Sequence, residues 1–226
     1  MPYACGVERW ATFDCYGTLV DWRGGIRGEL ARLFGGERAD ALLERYFDAE
    51  ARLQAADPAR PYRAVLSAGL AAVADEAGLE LPAGEEDALA ASLPAWPVFA
   101  DVRPALAEAR ARGWRLAILS NTDRDLLDAS VHAIGVPFDV TIVAGEIGSY
   151  KPGLRHWQVF RERTGVPAGR HVHVAQSLYH DIAPARELGL ASIWVNRLGE
   201  VPGPEPTREL ADLRGLADAL DSLVPA

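Results

Sequence analysis

The chain has 226 residues, of which 49% are hydrophobic and 24% charged, and this balance excludes a collagen-like, disordered or coiled-coil protein. Its 32 acidic residues outnumber its 23 basic ones, for a formal charge of -9, so a nucleic-acid or membrane partner is not expected. No apolar run approaches the roughly 20 residues that span a bilayer, and the first residues carry no leader pattern, so we expect a cytoplasmic protein. The two cysteines, Cys5 and Cys15, form neither a disulfide framework nor a metal-binding pair.

Five short apolar runs, separated by helical stretches, organise most of the chain. This alternation predicts a parallel sheet wrapped by helices, that is, a doubly wound, Rossmann-like α/β core. The runs are Trp10–Phe13, Arg115–Leu119, Val140–Val143, His171–Ala175 and Ala191–Val195. After a proline-rich loop, the sequence predicts a last helix over Thr207–Leu220, with Thr207 as its N-cap.

The stretch between the first two predicted strands has a different pattern. Apolar residues such as Leu43, Tyr46 and Phe47 fall at helical spacing there, with no convincing strand. Prolines at 94, 97 and 104 favour a linker at its exit. We therefore predict a helical insert over residues 20–97 and an α/β core domain over residues 1–19 and 98–226. An apolar face on the insert would allow a homodimer.

Polar residues directly follow the predicted strands. Asp14 follows the first. Lys151, which precedes the helix after the third strand, is the only lysine in the chain, and an ammonium differs from a guanidinium in shape and in how readily its pKa is tuned. Since ligands of open parallel sheets bind beyond the carboxyl ends of the strands, we expect these side chains to converge.

The segments FDCYGTL, LSNTD and YKP, followed by a strand and a distal Asp, together resemble the haloacid dehalogenase superfamily over nearly the whole chain. The Asp-x-Tyr-Gly-Thr form of the first motif is similar to the L-2-haloacid dehalogenase branch, whereas phosphatases of the superfamily carry Asp-x-Asp-x-Thr. In this family the helical insert is called the cap. The resemblance implies that Asp14 displaces halide from C2 of a short 2-haloalkanoic acid, and that water then hydrolyses the ester to a 2-hydroxy acid, without metal or cofactor.

The resemblance also implies roles for the partners of the nucleophile. Thr18 would orient Asp14, Lys151 would keep it charged, and Asp181 would pair with Lys151 and position water. Ser120 and Asn121, with the helix start behind them, would bind the substrate carboxylate. The alternative for each of these residues is a structural role, as a turn residue, as the N-cap of a helix or as an exposed surface side chain.

Further candidate substrate contacts follow from the same resemblance. Trp22 would form an apolar wall, and a cap arginine, either Arg52 or Arg60, would bind the leaving halide. Trp157 stands where the branch usually has Tyr, and Leu178 where it has Asn. Tyr16 and Ser177 are further candidate substrate contacts. The segment after the fourth strand also offers Gln176, Tyr179 and His180 as substitute polar groups, and the sequence leaves open which of them face the pocket. Cys15, His171 and His173 are expected to serve packing and structure rather than metal binding.

Two residues argue against phosphate chemistry. Tyr16 stands where phosphatases have an acid, and a phenol with a pKa near 10 is a poor proton donor. Gln176 stands where they have a magnesium-binding carboxylate, and an amide carries no charge. Three interpretations stay open: a metal-independent hydrolase of 2-halo acids or of another activated 2-substituted acid such as a cyclic imino acid, a magnesium-dependent phosphatase, and a binding module without activity.

Overall fold

The computed structural model describes residues 8–201 and 203–226, so Cys5 lies outside the described residues. Six parallel strands form one sheet in the order β3-β2-β1-β4-β5-β6. The strands are β1 (Arg9–Phe13), β2 (Trp114–Ser120), β3 (Val140–Val143), β4 (His171–Ala175), β5 (Ala191–Val195) and β6 (Arg208–Leu210). The five predicted strands are all present, and the doubly wound α/β class is confirmed.

The strand order reverses around β1. The chain runs from β1 outward to β2 and β3 on one side, then returns to β4 on the other side of β1. Every residue of β1 and of β4 is buried, as expected for central strands covered on both faces. A crevice for ligands therefore opens beyond the carboxyl ends of β1 and β4.

Four helices occupy the stretch between β1 and the next core helix. They are α1 (Trp22–Phe34), α2 (Ala39–Ala56), α3 (Tyr62–Glu76) and α4 (Ala88–Ser92). The core helices are α5 (Val102–Ala111), α6 (Arg124–Ile134), α7 (Ala144–Ile147), α8 (Arg155–Thr164), α9 (Ala183–Glu187) and α10 (Leu216–Leu223). We refer to α1 to α4 as the cap. No helix in the described part of the chain is long and apolar enough to cross a membrane.

The predicted helix over Thr207–Leu220 is wrong in its first half. Arg208–Leu210 forms β6, which pairs with β5, and the last helix begins only at Leu216. Thr207 accepts a hydrogen bond from the backbone N–H of Ser192 at 3.0 Å and caps no helix. This three-residue edge strand shows no alternation of apolar and polar residues that the sequence could reveal. Its pairing with β5 stabilises it instead.

Candidate active site

The carboxyl ends of β1, β2 and β4 open into a cavity of about 740 Å³. This volume lies within the roughly 300–1,000 Å³ of typical ligand sites. The structure brings the strand-end residues together as predicted, since all five line the cavity: Asp14, Ser120, Asn121, Lys151 and Asp181. The cap covers the opposite side with residues of α1, α2 and α3.

Lys151 joins the two carboxylates of the site. Its Nζ donates hydrogen bonds to Asp14 Oδ1 at 2.9 Å, to Asp181 Oδ1 at 2.7 Å and to the carbonyl oxygen of Leu119 at 2.9 Å. The side chain is only 1% exposed. Because an ammonium has three N–H donors, all three are used, and the position of Nζ is fixed.

Asp14 is held from the side opposite Lys151 by Thr18. The Thr18 hydroxyl donates to Asp14 Oδ2 at 2.7 Å and accepts from the backbone N–H of Gln176 at 2.9 Å. Gly17 makes this arrangement possible, since its φ of 94° turns the chain back after β1. Cys15, between them in sequence, is fully buried in the core, as the packing role requires.

The charges of the site follow from burial and from Lys151. Burial raises the pKa of Asp14, although attraction to Lys151 and the hydrogen bond from Thr18 oppose the rise. Burial acts on Asp181 in the same sense, but there Lys151 and His173 outweigh it and hold the pKa of this carboxyl well below its usual range. Burial alone would lower the pKa of Lys151, and the two carboxylates reverse this and raise it. Asp181 is therefore a carboxylate and Lys151 an ammonium at neutral pH.

His173, expected to be structural, contacts the site directly. Its Nε2 lies 2.9 Å from Asp181 Oδ1, and its Nδ1 lies 2.8 Å from the hydroxyl of Thr12. That hydroxyl is also 2.7 Å from Nε2 of His171. The alternation of His171 and His173 along β4, pointing to one face, was the sequence signal for this chain of hydrogen bonds. The second oxygen of Asp181, Oδ2, is buried without a partner among the described residues.

Ser120 and Asn121 have different surroundings. The Ser120 hydroxyl is buried in the cavity wall and has no partner in the described part of the chain, so it is free to bind a ligand. The Asn121 amide instead bonds to the backbone of Lys151: its Nδ2 donates to the carbonyl at 3.0 Å and its Oδ1 accepts from the N–H at 2.7 Å. Asn121 thus fixes the loop that carries Lys151.

Three more of the predicted contacts line the cavity: Tyr16, Trp22 and Ser177. The hydroxyl of Tyr16 lies 3.0 Å from that of Ser130, and burial raises the pKa of Tyr16 far above its usual value. Ser177 accepts from the backbone N–H of His180 at 3.0 Å. The other polar residues of this segment, Gln176, Tyr179 and His180, also line the cavity.

The other three predicted substrate contacts lie outside the lining of the cavity, and their roles stay predictions. Arg52 lies on the face of α2 that points away from the core. Its side chain is 61% exposed and forms an ion pair with Glu76. Arg60 lies in the loop after α2, 4.0 Å from Asp57. Trp157, on α8, packs against His173 of β4. It belongs to a separate apolar cluster.

The cap contributes residues that the sequence analysis missed. Glu50 and Gln54 of α2 and Tyr62 of α3 line the cavity opposite the strand ends. Tyr62 stacks on Tyr16 with ring centroids 6.4 Å apart, and its hydroxyl accepts from Nε1 of Trp22 at 3.2 Å. The sequence signal was a carboxylate at helical spacing from the apolar Leu43 and Tyr46, which places it on the buried face of α2.

Comparison with known proteins identifies the family. A model of haloacid dehalogenase-like hydrolases matches residues 9–189. The chain belongs to this family. An (S)-2-haloacid dehalogenase from Pseudomonas sp. (strain YL) is 26% identical over 242 residues, covering 98% of this chain and 97% of the relative. A phosphoserine phosphatase from Thermus thermophilus is 32% identical over 131 residues, which are 55% of this chain and 53% of that protein.

Solved structures share the fold of this chain over almost its full length. A crystal structure of an L-2-haloacid dehalogenase has a TM-score of 0.86 and 24% identity, covering 95% of this chain and 99% of the other. The L-2-haloacid dehalogenase of Xanthobacter autotrophicus with chloropropionic acid covalently bound has a TM-score of 0.80 and 19% identity, covering 94% and 98%. These two similarities establish the fold.

Proposed function

We propose that this hydrolase converts short 2-haloalkanoic acids into 2-hydroxy acids, without a metal, through an ester formed on Asp14. The observation that carries the proposal is the bridge of Lys151 Nζ between Asp14 and Asp181 at the end of the central strand. This arrangement supplies a carboxylate with its charge held by an adjacent ammonium, and a second carboxylate beside it. The full-length similarity to an (S)-2-haloacid dehalogenase supports the same reaction.

In the first step, an oxygen of the Asp14 carboxylate attacks C2 and the carbon–halogen bond breaks. The halide leaves with the bonding electron pair and needs no proton, so the Tyr16 phenol is not required as an acid. The Ser120 hydroxyl binds the substrate carboxylate. Thr18 and Lys151 hold the attacking group in place, and such orientation contributes much of the rate in reactions of this kind.

In the second step, water attacks the carbonyl carbon of the Asp14 ester. Asp181 Oδ2, the buried acceptor without a partner among the described residues, orients this water. Lys151 and Thr18 donate to the oxygens of Asp14 and stabilise the oxyanion that forms there. The bond between the carbonyl carbon and the substrate oxygen then breaks. The products are the 2-hydroxy acid, the Asp14 carboxylate and a proton released to solvent.

A magnesium ion does not fit the side chains around Asp14. The ammonium of Lys151 bonds to Oδ1 of Asp14 and Oδ1 of Asp181, and Thr18 bonds to Oδ2 of Asp14, so Oδ2 of Asp181 is the one oxygen of these two carboxylates without a partner among the described residues. Gln176 offers only a neutral amide, which lies 3.4 Å from Glu200. Magnesium prefers carboxylate oxygens and water in octahedral geometry, so we derive no step through a metal.

The first test is chloride release from L- and D-2-chloropropionate in EDTA. We expect release from one enantiomer only, and its loss in Asp14→Asn, because the amide cannot act as the nucleophile. A phosphate ester with magnesium is the parallel assay. Phosphate release under magnesium with no chloride release in EDTA would reject the proposal in favour of a phosphatase.

Isotope labelling tests the ester itself. In a single turnover with excess enzyme in H₂¹⁸O, the product hydroxyl should carry ¹⁶O, because its oxygen comes from Asp14. The label should appear in the peptide that contains Asp14, measured by mass spectrometry. Label in the product of this first turnover would mean that water attacks C2 directly.

A further inference from the structure

Glu50 is an unusual side chain for the wall of a site that binds small organic anions. It is on α2, lines the cavity and is only 6% exposed. Its Oε1 is buried and has no hydrogen-bond partner within residues 8–201 and 203–226. A buried carboxyl oxygen without a partner is costly, so a partner from outside the chain would stabilise it.

Among residues 8–201 and 203–226, no positively charged group acts on Glu50. The titratable groups that interact electrostatically with Glu50 are three phenols. They belong to Tyr46 of the same helix, Tyr62 of α3 and Tyr150 of the loop before Lys151. Burial raises the pKa of Glu50 to about 7, although a hydrogen bond from Tyr62 opposes the rise. The carboxyl is therefore close to half ionised at neutral pH, and a cation beside it would complete its ionisation.

The cations that do line the cavity are already paired. Arg23 bonds to Glu44 at 2.7 Å, and Arg197 bonds to Asp101 at 2.9 Å. Lys151 bonds to both catalytic carboxylates. A simple 2-haloalkanoate has no hydrogen-bond donor for Glu50.

We propose that Glu50 binds a protonated amine of the substrate, so that the hydrolase acts on amino-substituted 2-halo acids or related zwitterions. The substrate carboxylate lies at Ser120, C2 at Asp14, and the ammonium at the cap wall beside Glu50 and the side-chain amide of Gln54. The assignment of a halogen as the reacting group at C2 rests on the proposed function. The amine subsite does not, because binding reports on it without any turnover.

Two pairs of isosteric ligands test the subsite. The hydroxy acids 3-amino-2-hydroxypropanoate and 2-hydroxybutanoate differ only in an ammonium that replaces a methyl group, and so do 3-amino-2-chloropropanoate and 2-chlorobutanoate. By titration calorimetry, we expect the wild type to bind the amino-hydroxy acid at least about tenfold more tightly than its methyl counterpart. The same preference should appear in kcat/KM for chloride release from the second pair.

Glu50→Gln should abolish this preference, because the amide keeps the shape but not the charge. Asp48→Asn is the matched control, since Asp48 is an exposed carboxylate on the same helix, and it should bind like the wild type. In the wild type alone, the ratio of the two affinities should rise from pH 6 to pH 8 as Glu50 ionises, a measurement that does not depend on the variant folding.

Equal binding of the two hydroxy acids by the wild type would overturn the proposal, and so would an unchanged preference in Glu50→Gln. An affinity ratio that stays constant from pH 6 to pH 8 would also count against it. A preference for the amine with no chloride release from either chloro acid would support the subsite and reject the proposed dehalogenation instead.

Discussion

Lys151 has a hydrogen-bond acceptor for each of its three N–H groups, two of them carboxylate oxygens. Lys151→Met would leave Asp14 and Asp181 buried together without a cation, so the pKa of Asp14 should rise further. We expect kcat/KM at pH 7 to fall by at least about 100-fold, the usual effect of removing one hydrogen-bond donor to a developing oxyanion. The acid limb of the pH profile, which reports the ionisation of Asp14, should move to higher pH.

Lys151→Arg should not restore activity, because a planar guanidinium does not reproduce three donors that diverge from one nitrogen. Arg155→Met, which removes an exposed cation paired with Glu162, is the control and should keep the wild-type profile. Near-normal activity of the arginine variant would show that only the charge at this position matters.

The sequence predicted the residues of one wall of the site. Asp14, Lys151 and Asp181 were found because the carboxyl ends of neighbouring parallel strands must meet. Glu50 and Tyr62 were missed, since the spacing of a cap helix shows which face is buried but not what that face covers. For the same reason, the spacing could not show that Arg52 and Arg60 lie outside the lining of the cavity.

The link between cap and core is formed at the start of α3. Asp123, directly before α6, accepts hydrogen bonds from the backbone N–H groups of Tyr62 at 3.0 Å and Arg63 at 2.8 Å, although α6 has no side-chain cap. Asp123, a residue of the core, is therefore the N-terminal capping group of α3. It also holds Tyr62 against the cavity.

Asp123→Ala should lower the free energy of unfolding by about 1–2 kcal/mol, the usual cost of a lost N-cap. Because the cap wall would shift with Tyr62, we expect KM to rise more than kcat falls. Urea denaturation and steady-state kinetics measure the two effects. Asp125→Ala removes an exposed ion pair with Arg63, which should cost less than about 1 kcal/mol. Equal losses in both variants would contradict the capping role.

Among the elements, the buried strands were predictable and the edge strand was not. β1 and β4 are buried along their whole length because both faces of the sheet are covered. β6 consists of Arg208–Leu210, and only its hydrogen bonds to β5 define it. The predicted limits of the cap, residues 20–97, stay a prediction.

Buried titratable groups with opposite effects set how the stability of the protein depends on pH. Burial lowers the pKa values of His156 and His171 to about 3, against about 6.5 in the unfolded chain. Their contribution is complete above pH 6.5 and is lost as the pH falls, because the unfolded state then binds more protons. Glu50 acts in the opposite sense. Its pKa of about 7 in the native state makes its contribution complete below about pH 4.3, and this contribution is lost as the pH rises through 7.

Variants separate the two effects. Each group changes the free energy of unfolding by about 1.4 kcal/mol per pH unit within its window. From pH 6.5 to pH 5, the stability of the wild type should therefore fall by about 2 kcal/mol relative to His171→Gln, which keeps a partner for Thr12. From pH 5 to pH 7, it should fall by about 2–3 kcal/mol relative to Glu50→Gln. Urea denaturation at half-unit pH intervals measures both differences. A constant difference between Glu50→Gln and the wild type across this range would mean that Glu50 is ionised throughout and that its buried oxygen is solvated after all.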